Sequence, residues 1–440
     1  MQSIDVLIHA RWVIPVEHGV AFFEHHSVAV NEGLIIAVLP QEDALALYTP
    51  AEEINLDEHA LLPGFVNAHT HAAMTLFRGM ADDLELMTWL NTHIWPAESC
   101  HVGEAFVREG TELAIAEMLR GGTTCFNDMY FFPDEVGELC NRAGMRCVVG
   151  LIAIDAPTAW AESIDEYLSK GTDVHDRFRH DPLVNTAFAP HAPYTVSDQT
   201  LERIRTLADE LDIPVHIHVH ETRHEVEQAL AELGKRPLTR LDELGLLNDR
   251  LVAVHMTELS DAEVQLAAER GINVVHCPES NLKLASGFCP VNDLANAGVN
   301  VAIGTDGAAS NNDLDMLSEL RTTALLGKGL CGRADALPAL EVLRMATLNG
   351  AEALGLDKLT GSLVEGKAAD LIAVDLSELE TQPLFDPCSQ VVYAASRGQV
   401  TDVWVAGQHV LRERQLTTLD ETDIKQRALT WQQRLSTGPS

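Results

Sequence analysis

The sequence predicts an α/β protein in which a (β/α)8 TIM barrel carries a small β-sandwich domain built from both chain ends. Three observations predict this fold. A strand-then-helix rhythm repeats eight times in the middle of the chain, the candidate strands there are apolar without alternation, and both ends hold short apolar runs broken by polar turns. Strands of the first kind are typical of a parallel sheet covered on both faces. We expect domains over residues 1–60, 61–366 and 367–440, the first and last forming one β-domain with a terminal helix.

The two chain ends share a pattern of short candidate strands. These apolar runs are Val6–Ile8, Trp12–Ile14, Ser27–Val30, Leu34–Val38, Asp370–Val374, Val391–Tyr393, Asp402–Val405 and His409–Leu411. The last two are separated by Ala406, Gly407 and Gln408, as in a hairpin. Because such short strands rarely stand alone, we expect both ends to pair in one domain. Residues Asp423 to Leu435 predict a terminal helix.

The middle of the chain predicts eight barrel strands. They are Gly64–His71, Thr123–Asp128, Arg146–Leu151, Val184–His191, Val215–His220, Leu251–His255, Ile272–Pro278 and Val299–Asp306. Helical patterns lie between them, such as the segment that Ser197 would cap, with Leu201, Ile204 and Leu211 on one face. Eight such units over ~250 residues favour a closed barrel. No Gly-rich loop follows the first strand, which weakens the dinucleotide-binding alternative.

Composition narrows the partners. The chain has 440 residues with 30 Lys+Arg against 66 Asp+Glu, a formal net charge of −36. Such an acidic chain is a poor partner for nucleic acid or an anionic membrane. It holds no signal-peptide core and no run near the ~18 apolar residues of a membrane helix. The eight cysteines form no CxxC motif and lie mostly in apolar contexts, as reduced core thiols do. We expect a cytoplasmic protein.

Polar residues collect where the predicted barrel strands end. They are His69, His71, His191, His218, His255 and Asp306. Active sites of such barrels lie at the carboxyl ends of the strands, where loops vary without disturbing the core. Period two places His69 and His71 on one face of their strand. Three imidazoles and one carboxylate suit Zn²⁺ or Fe²⁺ and leave a position for water.

The fifth strand leaves an alternative open. His216, His218 and His220 alternate along it and therefore share one face, so spacing does not say which of the three faces the metal.

At these residues the chain resembles the amidohydrolase superfamily, in its cytosine-deaminase and triazine-hydrolase branch. The motifs are PGFVNAHTH at 63–71, HVHE at 218–221, AVH at 253–255 and GTDGAASNN at 304–312. The resemblance implies that His69, His71, His218 and Asp306 are metal ligands. The HxxE pattern of the branch selects His218, with Glu221 after it. Binuclear members carry a bridging Lys on the fourth strand, and residues 184–191 hold none, so one metal per subunit is expected.

The resemblance also implies a mechanism. A divalent cation lowers the pKa of bound water to about 7 in favourable sites. Asp306 would accept the proton of that water, and Glu221 would protonate a ring nitrogen of the substrate. His255 would orient the attacking hydroxide, and the carbon that bears an amino group would lose ammonia. A carboxylate that is not a metal ligand has the same acid–base role in zinc deaminases of another fold.

Within the branch, the chain resembles the 5-methylthioadenosine/S-adenosylhomocysteine deaminase family. The motifs are MTLFRGMADDL at 74–84, WL at 89–90 and IWPAE at 94–98. The family pattern assigns the ribose hydroxyls to Glu98 and the purine to His191. Without the family pattern, the simpler interpretation is that Glu98 is a solvated residue at the start of a helix, where the helix dipole favours a carboxylate. Asn281 lies in a common branch motif, and the sequence leaves open whether it has a role or only forms a turn.

The 5′-substituent pocket is less determined. Trp89, Met74, Met80 and Met87 suit contacts with a thioether, although such residues are more often core. Relatives that accept the tail of adenosylhomocysteine have Arg residues after the third strand. Here residues 151–160 hold none, and Asp155 would repel a carboxylate.

The resulting hypothesis is a hydrolytic deaminase that converts the 6-amino group of 5′-methylthioadenosine to the inosine form, with S-adenosylhomocysteine or adenosine as further substrates. Another triazine-type or guanine-type hydrolase on the same metal site is the alternative. A non-catalytic relative is disfavoured because every metal ligand is kept. A homodimer or tetramer is expected from the resemblance.

Overall fold

Two eight-stranded sheets organise the chain in this computed structural model, which describes residues 1–17 and 19–436. The strands, numbered in chain order, are β1 (Gln2–Val13), β2 (Phe23–Asn31), β3 (Leu34–Pro40), β4 (Tyr48–Pro63), β5 (Phe65–Thr70), β6 (Thr123–Asp128), β7 (Arg146–Ala153), β8 (Val184–Pro190), β9 (Val215–Val219), β10 (Leu251–His255), β11 (Asn273–His276), β12 (Asn300–Ile303), β13 (Leu371–Asp375), β14 (Val400–Val405), β15 (Gln408–Arg412) and β16 (Gln415–Leu416). They separate into a central set and a set from both chain ends.

Helices alternate with the central strands. The helices are α1 (Gln41–Leu47), α2 (Leu86–Trp89), α3 (Trp95–His101), α4 (Glu104–Arg120), α5 (Pro133–Ala143), α6 (Ile164–Phe178), α7 (Asp198–Leu211), α8 (Arg223–Leu233), α9 (Pro237–Glu243), α10 (Asp261–Arg270), α11 (Pro278–Lys283), α12 (Val291–Asn296), α13 (Met316–Cys331), α14 (Ala339–Met345), α15 (Leu348–Ala353), α16 (Pro387–Tyr393) and α17 (Glu421–Ser436). Strands β5 to β12 follow one another in chain order across one sheet. This arrangement confirms the predicted (β/α)8 barrel.

The barrel strands agree closely with the sequence prediction. The largest difference is in β12, which ends at Ile303 rather than Asp306. All residues of β5, β6, β7, β10 and β11 are buried, as their continuous apolar pattern predicts. Helix α7 begins after Ser197, whose side chain accepts a hydrogen bond from the backbone N–H of Thr200, so the predicted cap is confirmed.

The second sheet joins the chain ends. Its strand order is β16-β15-β14-β13-β4-β1-β2-β3, and β4 links the halves by pairing parallel with β1 and antiparallel with β13. Ile35, Leu61, Leu371 and Trp404 share its buried core, which confirms the predicted domain from both ends. Residues Ala406 and Gly407 connect β14 to β15 with φ values of 47° and 77°, as a two-residue hairpin of type I′ requires.

One predicted strand of the chain ends is wrong. The apolar run Val391–Tyr393 lies in helix α16. The Asp386 side chain accepts a hydrogen bond from the Ser389 N–H, and Pro387 occupies the first helical position, where its fixed φ favours a helix start. These cap residues override the β propensity of the valines.

The chain divides into two compact units. The first comprises Met1–Asn67, Glu117–Cys125 and Asp315–Leu419, and the second comprises Ala68–Ala116, Phe126–Leu314 and the described part of Asp420–Ser440. The domain boundaries predicted from the sequence stay a prediction. The helices described here include none whose length and hydropathy would allow it to cross a bilayer. All eight cysteines are free, and all but Cys100 and Cys331 are buried.

Candidate metal centre and active site

Four predicted metal ligands meet at the carboxyl ends of the barrel strands. His69 Nε2 lies 3.2 Å from His218 Nε2 and 3.3 Å from Asp306 Oδ1, and His71 Nε2 lies 3.3 Å from the same carboxylate oxygen. A tetrahedral site with metal–ligand bonds of about 2.0–2.2 Å has edges of about 3.3–3.6 Å. The three separations are close to such edges, so these four residues could hold one small divalent cation.

The histidines present their Nε2 atoms to this point because their other ring nitrogens are engaged. His71 Nδ1 donates to the Met129 carbonyl at 2.6 Å, and His218 Nδ1 donates to the His191 carbonyl at 2.8 Å. Burial lowers the pKa of His69 to about 4 and holds the pKa of His218 well below its usual range. His69 and His218 are therefore neutral at pH 7, which metal ligation requires.

The carboxylate of Asp306 is also oriented by hydrogen bonds, so that one oxygen faces the histidines. Its Oδ2 accepts hydrogen bonds from the hydroxyls of Ser280 at 2.6 Å and Ser310 at 3.1 Å, while Oδ1 faces His69 and His71. Burial alone would raise the pKa of Asp306, but the hydrogen bond with His69 and the nearby histidines lower it well below the usual range. Neither serine was predicted from the sequence, although Ser280 precedes Asn281 directly and Ser310 lies in the motif that contains Asp306.

The structure distinguishes the three alternating histidines of β9. His218 joins the metal cluster, whereas His220 turns away and its Nε2 accepts the Leu238 N–H at 3.1 Å. His216 is fully buried, and its Nε2 lies 3.0 Å from His69 Nδ1. It therefore contacts the ring nitrogen of His69 that does not face the metal cluster.

Glu221 and His255 adjoin the metal cluster. His255 Nε2 lies 3.7 Å from Glu221 Oε1, and the ring nitrogens of His69, His218 and His255 lie within 4.8 Å of one another. His255 Nδ1 donates to Asn281 Oδ1 at 2.9 Å, so Asn281 leaves His255 Nε2 as an acceptor. Burial, together with the charge on Asp306, raises the pKa of Glu221 to about 8. Glu221 is accordingly protonated at neutral pH.

The turn that carries Glu221 has its own supports. His220 adopts a left-handed conformation with a φ of 53°. The buried Glu225 carboxylate accepts the N–H groups of His220 at 3.0 Å and Glu221 at 2.7 Å. Thr257 Oγ1 lies 2.8 Å from the Glu221 carbonyl on the other side. Sequence reasoning missed Glu225 and Thr257, which act across the turn rather than on a ligand.

Three of the predicted ligands, His71, His218 and Asp306, line a cavity of about 840 Å³ in the second compact unit. Its lining includes Glu98, Trp89 and His191, all predicted to contact substrate. His191 Nδ1 bonds Thr195 Oγ1 at 2.9 Å, which leaves Nε2 for a ligand, and burial lowers the pKa of His191 to about 3. Among the described residues that line the cavity there is no lysine or arginine.

Of the four residues predicted to form a thioether pocket, two line the cavity and two do not. Trp89 and Met74 line it. Met80, which is 38% exposed, and Met87 do not line it. Both methionines lie on the loop and short helix between β5 and α3, where adjacent residues point in different directions.

The role expected of Asp155 is also wrong. Its carboxylate accepts hydrogen bonds from the Ser197 N–H at 2.6 Å and the Thr200 hydroxyl at 2.7 Å, at the start of α7. It borders a separate cavity of about 470 Å³ and does not line the larger one. The carboxylate that does line the larger cavity after β7 is Glu162.

Comparisons with known proteins show which family the chain is similar to. The model of the amidohydrolase family matches residues 60–410. The chain is 49% identical to a 5-methylthioadenosine/S-adenosylhomocysteine deaminase of Teredinibacter turnerae over 98% of each protein, and 48% identical to one of Saccharophagus degradans over 97% of this chain and 96% of the relative. A zinc-bound adenosine deaminase from Xanthomonas campestris superposes with a TM-score of 0.98 at 56% identity over 99% of each chain. A zinc-bound atrazine chlorohydrolase from Arthrobacter aurescens, 22% identical over 97% of this chain and 99% of its own, has a TM-score of 0.91 and shows the fold alone.

Proposed function

The chain belongs to the amidohydrolase family, and on that premise we propose that it hydrolyses the 6-amino group of 5′-methylthioadenosine to the inosine form with release of ammonia. S-Adenosylhomocysteine and adenosine are further candidate substrates, as the names of the relatives suggest. The observation that carries the proposal is the cluster of His69, His71, His218 and Asp306 next to the buried Glu221, beside a cavity large enough for a nucleoside.

One divalent metal belongs to this proposal. His69, His71, His218 and Asp306 would hold it, and Zn²⁺ is the first choice because the neighbour from Xanthomonas campestris binds zinc. Fe²⁺ suits the same donor set. When bound, such a cation supplies hydroxide at neutral pH by lowering the pKa of water.

Three side chains, those of Glu221, Asp306 and His255, carry out the proton transfers and orient the water. Glu221 donates its proton to the ring nitrogen beside the carbon that bears the amino group, which makes that carbon electrophilic. Asp306 Oδ1 accepts the proton of the attacking water, and His255 Nε2, left as an acceptor by Asn281, orients that water. The proton held by Asp306 then passes to the departing amino group, and the remaining proton of the added hydroxyl returns to Glu221 as the carbonyl forms. Water is consumed, and one ammonia and the inosine-type product result.

Substrate selection falls to the rest of the cavity. Glu98 would accept hydrogen bonds from the two vicinal ribose hydroxyls, and His191 would contact the purine. Met74, Trp89 and Ile154 offer the apolar and sulfur contacts that a methylthio group prefers. A triazine or guanine lacks ribose and would have no use for Glu98. A homodimer or homotetramer stays a prediction.

The test is an ammonia-release screen on zinc-loaded protein. The panel holds 5′-methylthioadenosine, S-adenosylhomocysteine, adenosine, guanine and a chlorotriazine, each with and without a chelator. We expect chelator-sensitive deamination of the adenosines, and Glu98→Gln should weaken it for ribosides. No deamination of any 5′-substituted adenosine by the metal-loaded protein would overturn the proposal.

A further inference from the structure

Glu98 is hydrogen-bonded by a tyrosine at the cavity wall. Glu98 lies on the short helix α3, and the Tyr130 hydroxyl, two residues beyond the end of β6, donates to its Oε1 at 2.8 Å. Both residues line the cavity. The bond joins two loops that follow different barrel strands, so it fixes a side chain that neither loop fixes alone.

The tyrosine acts as a donor in this pair. Burial, followed by the charge of Glu98, raises the pKa of Tyr130 well above its usual value, so the phenol keeps its proton at any physiological pH. A phenol donates one hydrogen bond and a carboxylate accepts several. One carboxylate oxygen of Glu98 is therefore engaged by Tyr130, and Oε2 carries no further hydrogen bond from the described side chains.

The cavity offers Glu98 little other stabilisation. Burial raises the pKa of Glu98 to about 7, while the Tyr130 hydrogen bond and the charge of His71 act in the opposite direction. The described lining holds no lysine or arginine that could pair with the carboxylate. Hydrogen bonds to a charged group are stronger than those between neutral groups. Tyr130 is thus the group that both orients Glu98 and favours its charged form.

We propose that Tyr130 is a positioning residue for sugar recognition: through its hydrogen bond to Oε1 it aims the free oxygen of Glu98 at the ribose diol. This inference rests on the proposed function, because it assumes a nucleoside in the cavity. It assigns no step of the reaction to Tyr130. The hydroxyl should affect binding of ribosides and leave the chemical step unchanged.

The test combines an enzyme variant with a substrate variant. Tyr130→Phe removes only the hydroxyl, and the 2′,3′-dideoxy analogue of 5′-methylthioadenosine removes the groups that Glu98 would bind. We expect Tyr130→Phe to raise KM for the riboside roughly tenfold, the size of a lost hydrogen bond to a charged group, with kcat within about twofold. KM for the dideoxy analogue should stay within about twofold of the unmodified protein.

A second tyrosine supplies the matched control. The buried Tyr167 hydroxyl lies 2.5 Å from Thr158 Oγ1 and does not line the cavity, so Tyr167→Phe removes a buried hydroxyl without touching Glu98. Its KM ratio between riboside and dideoxy analogue should equal that of the unmodified protein. Zinc content and the unfolding midpoint of each variant establish that the protein is folded and loaded.

The outcomes separate this inference from the proposed function. Equal KM changes for riboside and dideoxy analogue in Tyr130→Phe, with Glu98→Gln still discriminating between them, would overturn the role of Tyr130 alone. If neither variant discriminates although both nucleosides are deaminated, Glu98 does not bind the sugar and the inference fails with that assignment. If no nucleoside is deaminated, the proposed function is wrong, and so is this inference, because it assumes a nucleoside in the cavity.

Discussion

The titration of Glu98 predicts how substrate affinity changes with pH. Burial raises the pKa of Glu98 to about 7, and the groups that face it are Tyr130, which keeps its proton, and His71. Because the pKa of this carboxyl group is raised, the carboxylate that accepts the sugar hydroxyls is present above pH 7 and lost as the pH falls. Affinity for a riboside should therefore increase with pH through the neutral range.

The size of the effect follows from the titration. With a pKa of about 7, Glu98 is ionised in roughly one tenth of molecules at pH 6 and nine tenths at pH 8. If only the carboxylate binds the diol well, affinity rises about tenfold over that interval. The inosine-type product suits the measurement, because its inhibition constant reports binding without chemistry.

The assay measures that inhibition constant from pH 5.5 to 8.5 for the unmodified protein and for Glu98→Gln. Glu221, whose pKa is raised to about 8 and which faces the purine, should contribute the same pH dependence to both proteins, so we expect the additional slope from Glu98 only in the unmodified protein, since the amide does not titrate. The dideoxy product analogue serves as the ligand control and should show only the contribution that the two proteins share. An equal slope in Glu98→Gln would refute the reasoning, because the titrating group would then lie elsewhere.

Other variants test the supports of the metal cluster and the cavity. His216→Ala removes the group behind His69, and we expect zinc affinity to fall about 10–100-fold in a chelator competition. Asn281→Ala frees Nδ1 of His255, and kcat should drop roughly tenfold or more with KM nearly unchanged in steady-state kinetics. 5′-Methylthioadenosine should exceed S-adenosylhomocysteine in kcat/KM. Glu162→Arg should narrow that preference and Asp155→Asn should not, as competition between the two substrates would reveal.

Much of the barrel could be predicted because its signals are local. A buried parallel strand is a continuous apolar run, and a polar residue at its carboxyl end must lie at the mouth of the barrel. His69, His71 and Asp306 were therefore expected together, and the structure places their ligand atoms within 4.8 Å of one another. Strand β4 (Tyr48–Pro63) gave no such signal, because its first half alternates exposed and half-buried residues and holds no continuous apolar run.

The hydrogen bonds that orient the site residues could not be predicted, because each joins two residues that are distant in sequence. Tyr130 reaches Glu98 across 32 positions, and Ser280 reaches Asp306 across 26. No periodicity reports such a contact, and a serine or tyrosine in a loop has many other uses. The predicted role of Asp155 was wrong for a related reason. Its place after β7 was read correctly, but the direction of its side chain was decided by two donors at the start of α7.

The expected preference for the untailed substrate nevertheless survives the loss of Asp155, on different grounds. The tail of adenosylhomocysteine is zwitterionic, so its carboxylate needs a cation and its ammonium group needs an anion. The described cavity lining offers the carboxylates of Glu98 and Glu162 but no lysine or arginine. A carboxylate taken from water into that cavity would lose hydration without a charged partner, and this costs free energy. Glu162 is exposed, so solvent screens its repulsion. The missing cation, more than any added anion, is what should disfavour the tail.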